Sequence, residues 1–374
     1  PHMTFSTDAL GVNRRDTSLT RMQVDQLCDE DELGDGTVRM RVDRLAITAN
    51  TVTYAEMGDV FGYWDFYPTG DDAWGRVPAM GWADVVASAH PDVEVGGRYY
   101  GWFPMVGSVD LAVHPTGQGL RDDGAHRAAH ASVYRTFVDS RTDPSGPTAF
   151  DDAARRGDLE DRHALLRGLF MTGFLIDAFF DSNNWFGARR AIVMSASSKT
   201  AIAFADCAAQ RGLDALIGVT SPGNVDFVLG LGRYSDVVSY DDIGSIATGS
   251  AVSVDMAGDG PAIGALHARL GDLLAHSMIV GRTHHDTPPA RPEHGPTPEV
   301  FFAPTAMSQL AEGGTDALEL QERSIVALGA FVEGSGDWLH VQRTTGAHAA
   351  AATWAEVHAG AVSPDTGRIV SLHR

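Results

Sequence analysis

One stretch of the sequence, residues 191–224, constrains the fold more than any other. Its first four residues, 191–194, are apolar and predict a buried parallel strand, and a turn of small residues follows them. Apolar residues at helical spacing begin after Lys199, Gly212 suits the end of that helix, and 216–219 is predicted as the next strand. A strand, a helix and a strand within this length indicate the βαβ unit of a dinucleotide-binding sheet.

The turn before the helix has serines where the standard dinucleotide fingerprint has glycines. Small residues still allow a pyrophosphate to approach the free N–H groups at a helix N-terminus, and hydroxyls can cap the helix or donate to phosphate oxygens. Lys199 is the only lysine among 374 residues and places a compact positive charge there, although an ordinary solvated lysine is the alternative. The residues of this turn predicted to bind the cofactor are Ser195, Ser197, Ser198, Lys199 and Thr200.

The residues after the second strand indicate which nucleotide is bound. NAD enzymes usually have an acid there for the ribose 2′-hydroxyl, whereas NADP enzymes need room and donors for a 2′-phosphate. This chain has Thr-Ser-Pro-Gly-Asn at 220–224 and no acid before Asp226. The sequence therefore favours NADP(H), and the additional cofactor-binding residues are predicted to be Thr220, Ser221, Asn224 and Tyr240.

The charge and the cysteine content restrict the partners and the compartment. A net charge of −21 argues against nucleic acid and anionic membranes, because both attract basic proteins, and a small-molecule ligand fits better. The two cysteines, Cys28 and Cys207, supply neither a disulfide framework nor a cysteine zinc site. Neither a signal peptide nor a run of about 18 apolar residues is evident. These features predict a cytoplasmic protein that does not bind membranes.

The rest of the chain divides into a β-rich part and an alternating part. From residue 37 to about 113 short strands alternate with turns, and a strong helix at 159–183 leads into the central strand. Strands and helices that alternate after residue 191 predict a doubly wound parallel sheet. The expected elements are helices near 125–137 and at 225–231, 263–274 and 347–358, strands at 236–239, 251–255, 277–281, 299–303 and 368–372, and a loop at 282–298.

Several segments resemble the medium-chain dehydrogenase/reductase superfamily, in particular its zinc-free, quinone-oxidoreductase-like members. ITANTVTYAEMG at 47–58 is similar to the segment that follows the first barrel strands, and VEVGGRYYG at 93–101 is similar to a glycine-containing turn. SASSKTA at 195–201 stands where the superfamily has its AASGGVG loop, and AEVHAGAVSPDTGRIVSL at 355–372 resembles its closing helix and strand. TANTVTYAEMGDVFGYWDFYP, VTSPGN and VDMAG resemble a branch carried as a domain-of-unknown-function family.

The resemblance implies an α/β fold of two domains. A GroES-like, β-barrel-type substrate and catalytic domain would comprise residues 4–158 and 336–374, and a Rossmann-type nucleotide-binding domain would comprise residues 159–335. The cysteines that bind zinc in zinc-dependent members are missing, so no zinc is expected. The resemblance also implies a homodimer that forms through the strand at 299–303.

The chemistry is expected in a cleft between the two domains that residues 50–65 would line. In a zinc-free reductase, a hydroxyl or an amide polarises the substrate oxygen while hydride is transferred. Aromatic residues next to one acid can, alternatively, be loop packing only. The catalytic candidates are Tyr54 as the proton donor, Asn50 to orient the substrate or the ribose, and also Tyr63, Asp65 and His284.

Together these features predict a zinc-independent, NADP(H)-dependent reductase of a hydrophobic enone or ketone. Two alternatives stay open. One is a redox-inactive relative that uses the cleft as a lyase or hydrolase, with Lys199, Tyr54 or His284 as acid or base. The other is a nucleotide-binding protein without catalytic activity.

Overall fold

The computed structural model describes residues 5–146, 153–280 and 292–373. The chain forms two compact units. Unit 1 comprises Pro1–Leu165 and Leu339–Arg374, and unit 2 comprises Leu166–Trp338.

The described residues form 17 strands and nine α-helices, which are numbered here in chain order. The strands are β1 Phe5–Asn13, β2 Thr20–Leu27, β3 Thr37–Ile47, β4 Trp74–Gly75, β5 Pro78–Ser88, β6 Arg98–Pro104, β7 Ser108–Thr116, β8 Gly119–Asp122, β9 Thr136–Asp139, β10 Arg190–Met194, β11 Ala215–Thr220, β12 Asp236–Ser239, β13 Ala251–Asp255, β14 Leu274–Ile279, β15 Glu299–Val300, β16 His340–Thr345 and β17 Thr366–Ser371. The helices are α1 Ala49–Glu56, α2 Gly58–Phe61, α3 Ala153–Ser182, α4 Lys199–Ala208, α5 Val225–Gly230, α6 Gly260–Leu270, α7 Ala303–Glu312, α8 Ala317–Gly334 and α9 Ala347–His358.

Six strands of unit 1 form a closed barrel. They follow the order β3, β5, β6, β9, β8 and β7, and the ring closes because β3 also pairs with β7. Register shifts in the β3–β5 ladder at Arg39/Met40 and Val42/Arg44 let β3 bend around the barrel. Gly101 on β6 allows the close approach of β9, since a Cβ there would lie 2.3 Å from the Phe137 ring. β17 and β16 extend the sheet beyond β3, and β1, β2 and β4 form a separate small sheet.

Unit 2 contains a six-stranded parallel sheet in the order β12, β11, β10, β13, β14, β15. Counted along the chain within the unit, this order is 3-2-1-4-5-6, which is the order of dinucleotide-binding sheets. Apolar residues on its strands, such as Ile192 and Val219, are buried in a core that also includes Ile263 and Leu266 of α6. Gly173 lets α3 approach α4, because a Cβ at this position would lie 2.6 Å from the Phe204 nitrogen. The predicted α/β fold class, a β-barrel and a doubly wound parallel sheet, is confirmed.

One helix among the described residues, α3, is long and apolar enough to cross a membrane. The most apolar window of α3 is 72% buried inside the protein, and core helices of soluble proteins have the same length and composition.

Several predicted elements have different bounds in the structure. Residues 125–137 form two short 3-10 turns and the start of β9 instead of a helix, because the carbonyl of Tyr134 accepts a hydrogen bond from the buried Arg127 side chain. The strand expected at 299–303 ends at Val300, and α7 begins at Ala303. The predicted loop at 282–298 lies mostly outside the described residues.

Candidate functional site

The first candidate site lies at the carboxyl ends of β10 and β13 in unit 2, where the strand order of the sheet reverses. Met194 and Asp255, the last residues of these two strands, are paired in the ladder, so the two strand ends are adjacent. Ligands of doubly wound sheets bind outside the carboxyl ends of the strands at such a point. The turn that leads into α4 begins with Ser195, whose φ of 58° is in the left-handed region that favours glycine.

Ser198 begins the helix that follows this turn. Its Oγ accepts a hydrogen bond from the Ala201 N–H at 3.2 Å, which satisfies one of the free amide donors of α4. Lys199 and Thr200 are the first two residues of α4 and are partly exposed, and Ser221 is exposed after β11. The start of α4 therefore combines backbone amides, the positive end of a helix dipole and an ammonium group, a set that suits an anion.

The hydroxyls of the turn contact the ends of neighbouring strands. The Ser195 and Tyr240 hydroxyl oxygens lie 2.8 Å apart. Ser197 Oγ accepts hydrogen bonds from Thr220 Oγ1 at 3.1 Å and from Asn224 Nδ2 at 3.2 Å. Because these two bonds occupy both lone pairs of Ser197 Oγ, its own proton is left to donate in another direction. The structure thus brings five of the predicted cofactor-binding residues together.

Asp255, in the VDMAG segment, is a residue of this site that the sequence does not predict. The Asp255 side chain is 2% exposed, and its carboxyl oxygens accept hydrogen bonds from the Ala257 and Asp259 N–H groups, each at 2.9 Å. Burial raises the pKa of this carboxyl to about 6, against the effect of those backbone donors. An acid that ends a strand of mostly apolar residues, AVSVD at 251–255, was the signal that could have identified it.

The second candidate site is a cluster of three tyrosines in unit 1. Tyr54 on α1 and Tyr63, in the 3-10 turn after α2, have ring centroids 4.8 Å apart. The hydroxyl of Tyr134 lies 3.1 Å from the hydroxyl of Tyr63, and the two rings meet edge to face at 5.6 Å. Sequence reasoning missed Tyr134, because 71 residues separate it from Tyr63 and no motif marks it.

All three phenols of this cluster are neutral at physiological pH. Burial raises the pKa of Tyr63 to about 12 and raises the pKa values of Tyr54 and Tyr134 further. At Tyr54, hydrogen bonding with the Trp102 and Asn50 side chains lowers the pKa and so acts against burial. Neutral phenols can donate hydrogen bonds or protons, so the cluster can polarise an oxygen atom of a ligand.

The other predicted catalytic residues have different surroundings. Asn50 is partly exposed and lies one helical turn before Tyr54 on α1. Asp65 is exposed in the same turn as Tyr63. His284 lies outside the described residues, so its position stays a prediction.

A buried arginine holds the backbone around the tyrosine cluster. The Arg127 side chain is fully buried and donates hydrogen bonds to the carbonyls of Phe66, at 3.0 Å, and of Tyr134. Its guanidinium also lies over the Phe66 ring, 4.2 Å from the centroid, and 3.5 Å from a carboxyl oxygen of the buried Asp122. The Arg127 guanidinium therefore connects the turn that contains Tyr63 with the turn that contains Tyr134, and this connection helps to set the distance between the two phenols.

The described residues contain no group of three or more His, Cys, Asp or Glu side chains that could hold a metal ion. Cys28 is partly buried and lies 3.6 Å from both an Asp110 carboxyl oxygen and the Arg39 guanidinium. Cys207 is buried in α4, and burial raises the pKa of its thiol.

The family model described as "Protein of unknown function (DUF2855)" matches residues 45–363, which is most of the chain. The chain belongs to the DUF2855 family. No curated protein has a sequence that matches it.

Solved structures similar to this DUF2855 chain come from three organisms. CurA in complex with NADPH from Vibrio vulnificus has a TM-score of 0.60 at 10% identity, with 98% of this chain and 99% of that chain covered. The mitochondrial 2-enoyl thioester reductase Etr1p/Etr2p heterodimer from Candida tropicalis has a TM-score of 0.57 at 13% identity, covering 99% and 100%. A putative NADPH:quinone reductase from Bacillus thuringiensis has a TM-score of 0.54 at 13% identity, covering 98% and 99%. At this identity the likeness shows that the DUF2855 chain has the two-domain fold of medium-chain dehydrogenase/reductases.

Proposed function

We propose that this protein is a zinc-independent, NADP(H)-dependent reductase of a hydrophobic enone or ketone. The observation that carries the proposal is the turn of residues 195–198, placed at the strand-order reversal of a sheet of dinucleotide-binding order. The likeness in fold to structures named as NADPH-dependent or as NADPH complexes supports the same assignment.

The donors at the turn fit a phosphorylated nucleotide. The start of α4 with Lys199 would hold the pyrophosphate, and Ser197 would donate its remaining proton to a phosphate oxygen. Thr220 and Asn224, at the end of β11, would lie on the side of the ribose 2′-phosphate. The Asp255 carboxyl accepts hydrogen bonds from backbone amides, and burial raises its pKa to about 6.

The tyrosine cluster of unit 1 would supply the proton. NADPH, when bound, supplies the hydride. Tyr54 is our candidate for the acid, because it is partly exposed, whereas Tyr63 is buried and shares a hydrogen bond with Tyr134. The aromatic side chains around Tyr54 favour an apolar substrate.

The same proposal includes three further properties: the protein holds no zinc, lies in the cytoplasm and forms a dimer. Both cysteines are free, which supports a reducing compartment, and Cys28 already contacts a salt bridge between Arg39 and Asp110. β15 is the last strand of its sheet, and its exposed edge could pair with a second copy. Elemental analysis of the purified protein tests the absence of zinc.

Titration with NADPH and NADH, followed by quenching of tryptophan fluorescence, tests the proposed function. We expect NADPH to bind more tightly than NADH.

Lys199→Ala should weaken NADPH binding about tenfold to a hundredfold, because a charged hydrogen bond to a phosphate is lost. Arg189→Ala is the matched control, since it removes a positive charge just before the amino end of β10, at the opposite edge of the sheet. An unchanged dissociation constant in Lys199→Ala would remove Lys199 from the phosphate site, and no binding of either dinucleotide at millimolar concentration would reject the reductase assignment.

A further inference from the structure

Two large apolar side chains next to the tyrosine cluster are exposed. Val60 and Phe61 end the short helix α2 and are 69% and 48% exposed. A single exposed apolar residue is common on a protein surface, whereas adjacent ones beside a candidate site indicate a surface that an apolar ligand covers. The ring centroid of Phe61 lies 6.0 Å from that of Tyr63, and the Tyr63 centroid lies 4.8 Å from that of Tyr54. The exposed pair is therefore continuous with the side chain that we propose as the acid.

The other two residues of α2 attach this helix to the rest of unit 1. Gly58 is buried against the indole of Trp64, since a Cβ at this glycine would lie 2.2 Å from Trp64 Nε1. Asp59 accepts a hydrogen bond from Arg14 at 2.6 Å, and the Arg14 guanidinium lies over the Trp64 ring, 5.7 Å from its centroid. Because the contacts of α2 with the body of the unit are made by its first two residues, the two apolar side chains that follow project from a helix that is held in place.

We propose that Phe61, together with Val60, is a specificity-determining residue that binds the apolar chain of the substrate. This inference rests on the proposed function and narrows its substrate to an enone or ketone that carries an alkyl chain of several carbons. When the substrate oxygen accepts the Tyr54 proton, the alkyl chain extends past the Tyr63 ring and packs on the Phe61 ring. Burial of each methylene group is equivalent to about a fourfold gain in affinity. The Phe61 ring takes no part in the transfer of the hydride or the proton.

The length of the alkyl chain tests this inference without cofactor. The probes are the methyl ketones from butan-2-one to octan-2-one, titrated into the protein by saturation-transfer NMR. We expect the dissociation constant to fall about fourfold for each added methylene group in the unchanged protein. In Phe61→Ser it should fall less than about twofold for each group, because the chain then stays in water. Equal dependence on chain length in both proteins, or no dependence in the unchanged protein, overturns the inference.

Two control variants separate the role of the Phe61 ring from other effects. Phe61→Leu keeps an apolar side chain at this position and should retain most of the dependence on chain length. Phe5→Ser removes another exposed phenylalanine of unit 1, which is 42% exposed and lies on β1, and should leave the dependence unchanged. Loss of the dependence in Phe5→Ser as well would mean that the ketones bind to exposed apolar surface in general, and the inference would fail. Because both phenylalanines are exposed, these substitutions should change the melting temperature little.

In turnover, the effect should appear in the choice of substrate. With NADPH, Phe61→Ser should lower kcat/KM about tenfold or more for oct-3-en-2-one and less than about twofold for pent-3-en-2-one, since only the longer chain reaches the ring. An equal loss for both substrates contradicts a role in selecting the chain. Absence of NADPH-dependent reduction of either alkenone would reject the proposed function, and the ketone titrations would still decide whether Phe61 binds an alkyl chain.

Discussion

Tyr54 and Asp255 are two side chains whose protonation is set by burial. Removal from water disfavours the charged form of both groups, so the pKa of the phenol and the pKa of the carboxyl are both raised. For Tyr54 the result is a neutral donor at every physiological pH. For Asp255, whose pKa is about 6, the result is an acid that titrates near neutrality.

Replacing Tyr54 separates its chemical role from its role in packing. Tyr54→Phe keeps the ring that contacts Tyr63 and removes only the hydroxyl, so we expect kcat to fall by at least about a hundredfold, as for loss of a general acid. The NADPH dissociation constant, measured by fluorescence, should change less than about twofold. Tyr99→Phe, on the barrel strand β6, is the control. Full activity of Tyr54→Phe would eliminate this residue as the proton donor.

Asp255 should make folding stability depend on pH. Its pKa in the folded protein lies above the ordinary value of 3.8, so folding favours the protonated acid. This contribution is complete below about pH 4 and is lost as the pH rises through about 6, with a magnitude on the order of 3 kcal/mol. We expect Asp255→Asn, which does not titrate, to show a smaller fall in Tm between pH 5 and pH 7 than the unchanged protein. The exposed Asp272→Asn should keep the full slope, and equal slopes in all three proteins would contradict the assignment.

At the scale of elements, unit 2 has an exposed edge strand and a turn with an unusual backbone conformation. β15 pairs with β14 through two residues, and Val300 is 79% exposed beside the exposed Phe302. Asn184, Trp185 and Phe186 all have φ near 50°, a left-handed run that single residues seldom adopt and consecutive ones more rarely still. The Phe186 ring stacks on His276 of β14 at 4.3 Å, and this contact contributes to holding the turn.

The edge of β15 is where we expect two copies of the chain to pair. Unpaired strand edges with apolar side chains associate, and a lysine placed on such an edge prevents pairing. Val300→Lys should therefore convert a dimer into a monomer in size-exclusion chromatography with light scattering. Val326→Lys on α8 is the matched control, because Val326 lies in the same unit and, at 73%, is exposed to a similar extent as Val300. A dimer that survives Val300→Lys would place the interface elsewhere.

For the whole molecule, charge is the property that most restricts its partners. The net charge of −21 creates a repulsive field for polyanions, whereas one small anionic ligand can still be held by local donors. The fold provides such donors at the start of α4, where backbone amides and Lys199 meet.

The protein should not bind polyanionic partners at physiological ionic strength. We expect no change in fluorescence anisotropy of a labelled DNA duplex and no co-sedimentation with phosphatidylserine vesicles, because charge repulsion acts over the whole surface. A basic protein of similar size serves as the positive control in both assays. Saturable binding to either probe would show a local basic surface that the net charge conceals.

Much of the fold follows from local patterns in the sequence. The strand, turn and helix from Arg190 to Ala208 occur where apolar spacing and the serine cap predict them, since each is determined by residues a few positions apart. The alternating strands and helices that follow likewise predict the parallel sheet. The short strands and turns before residue 113 indicate a small barrel-like domain, the resemblance implies that it is GroES-like, and both parts of the fold class are confirmed.

Other features depend on residues that are distant along the chain. Arg39 lies in an alternating strand pattern that suggests a solvated side chain, yet it is fully buried because Asp110 on a neighbouring strand pairs with it. Tyr134 meets Tyr63 only through barrel closure and the hydrogen bonds of Arg127. Local sequence determines which segments become helices and strands, because propensity and apolar spacing act over short distances. Tertiary structure alone decides which polar groups are buried together and which pKa values move, because desolvation and pairing arise only when distant segments pack.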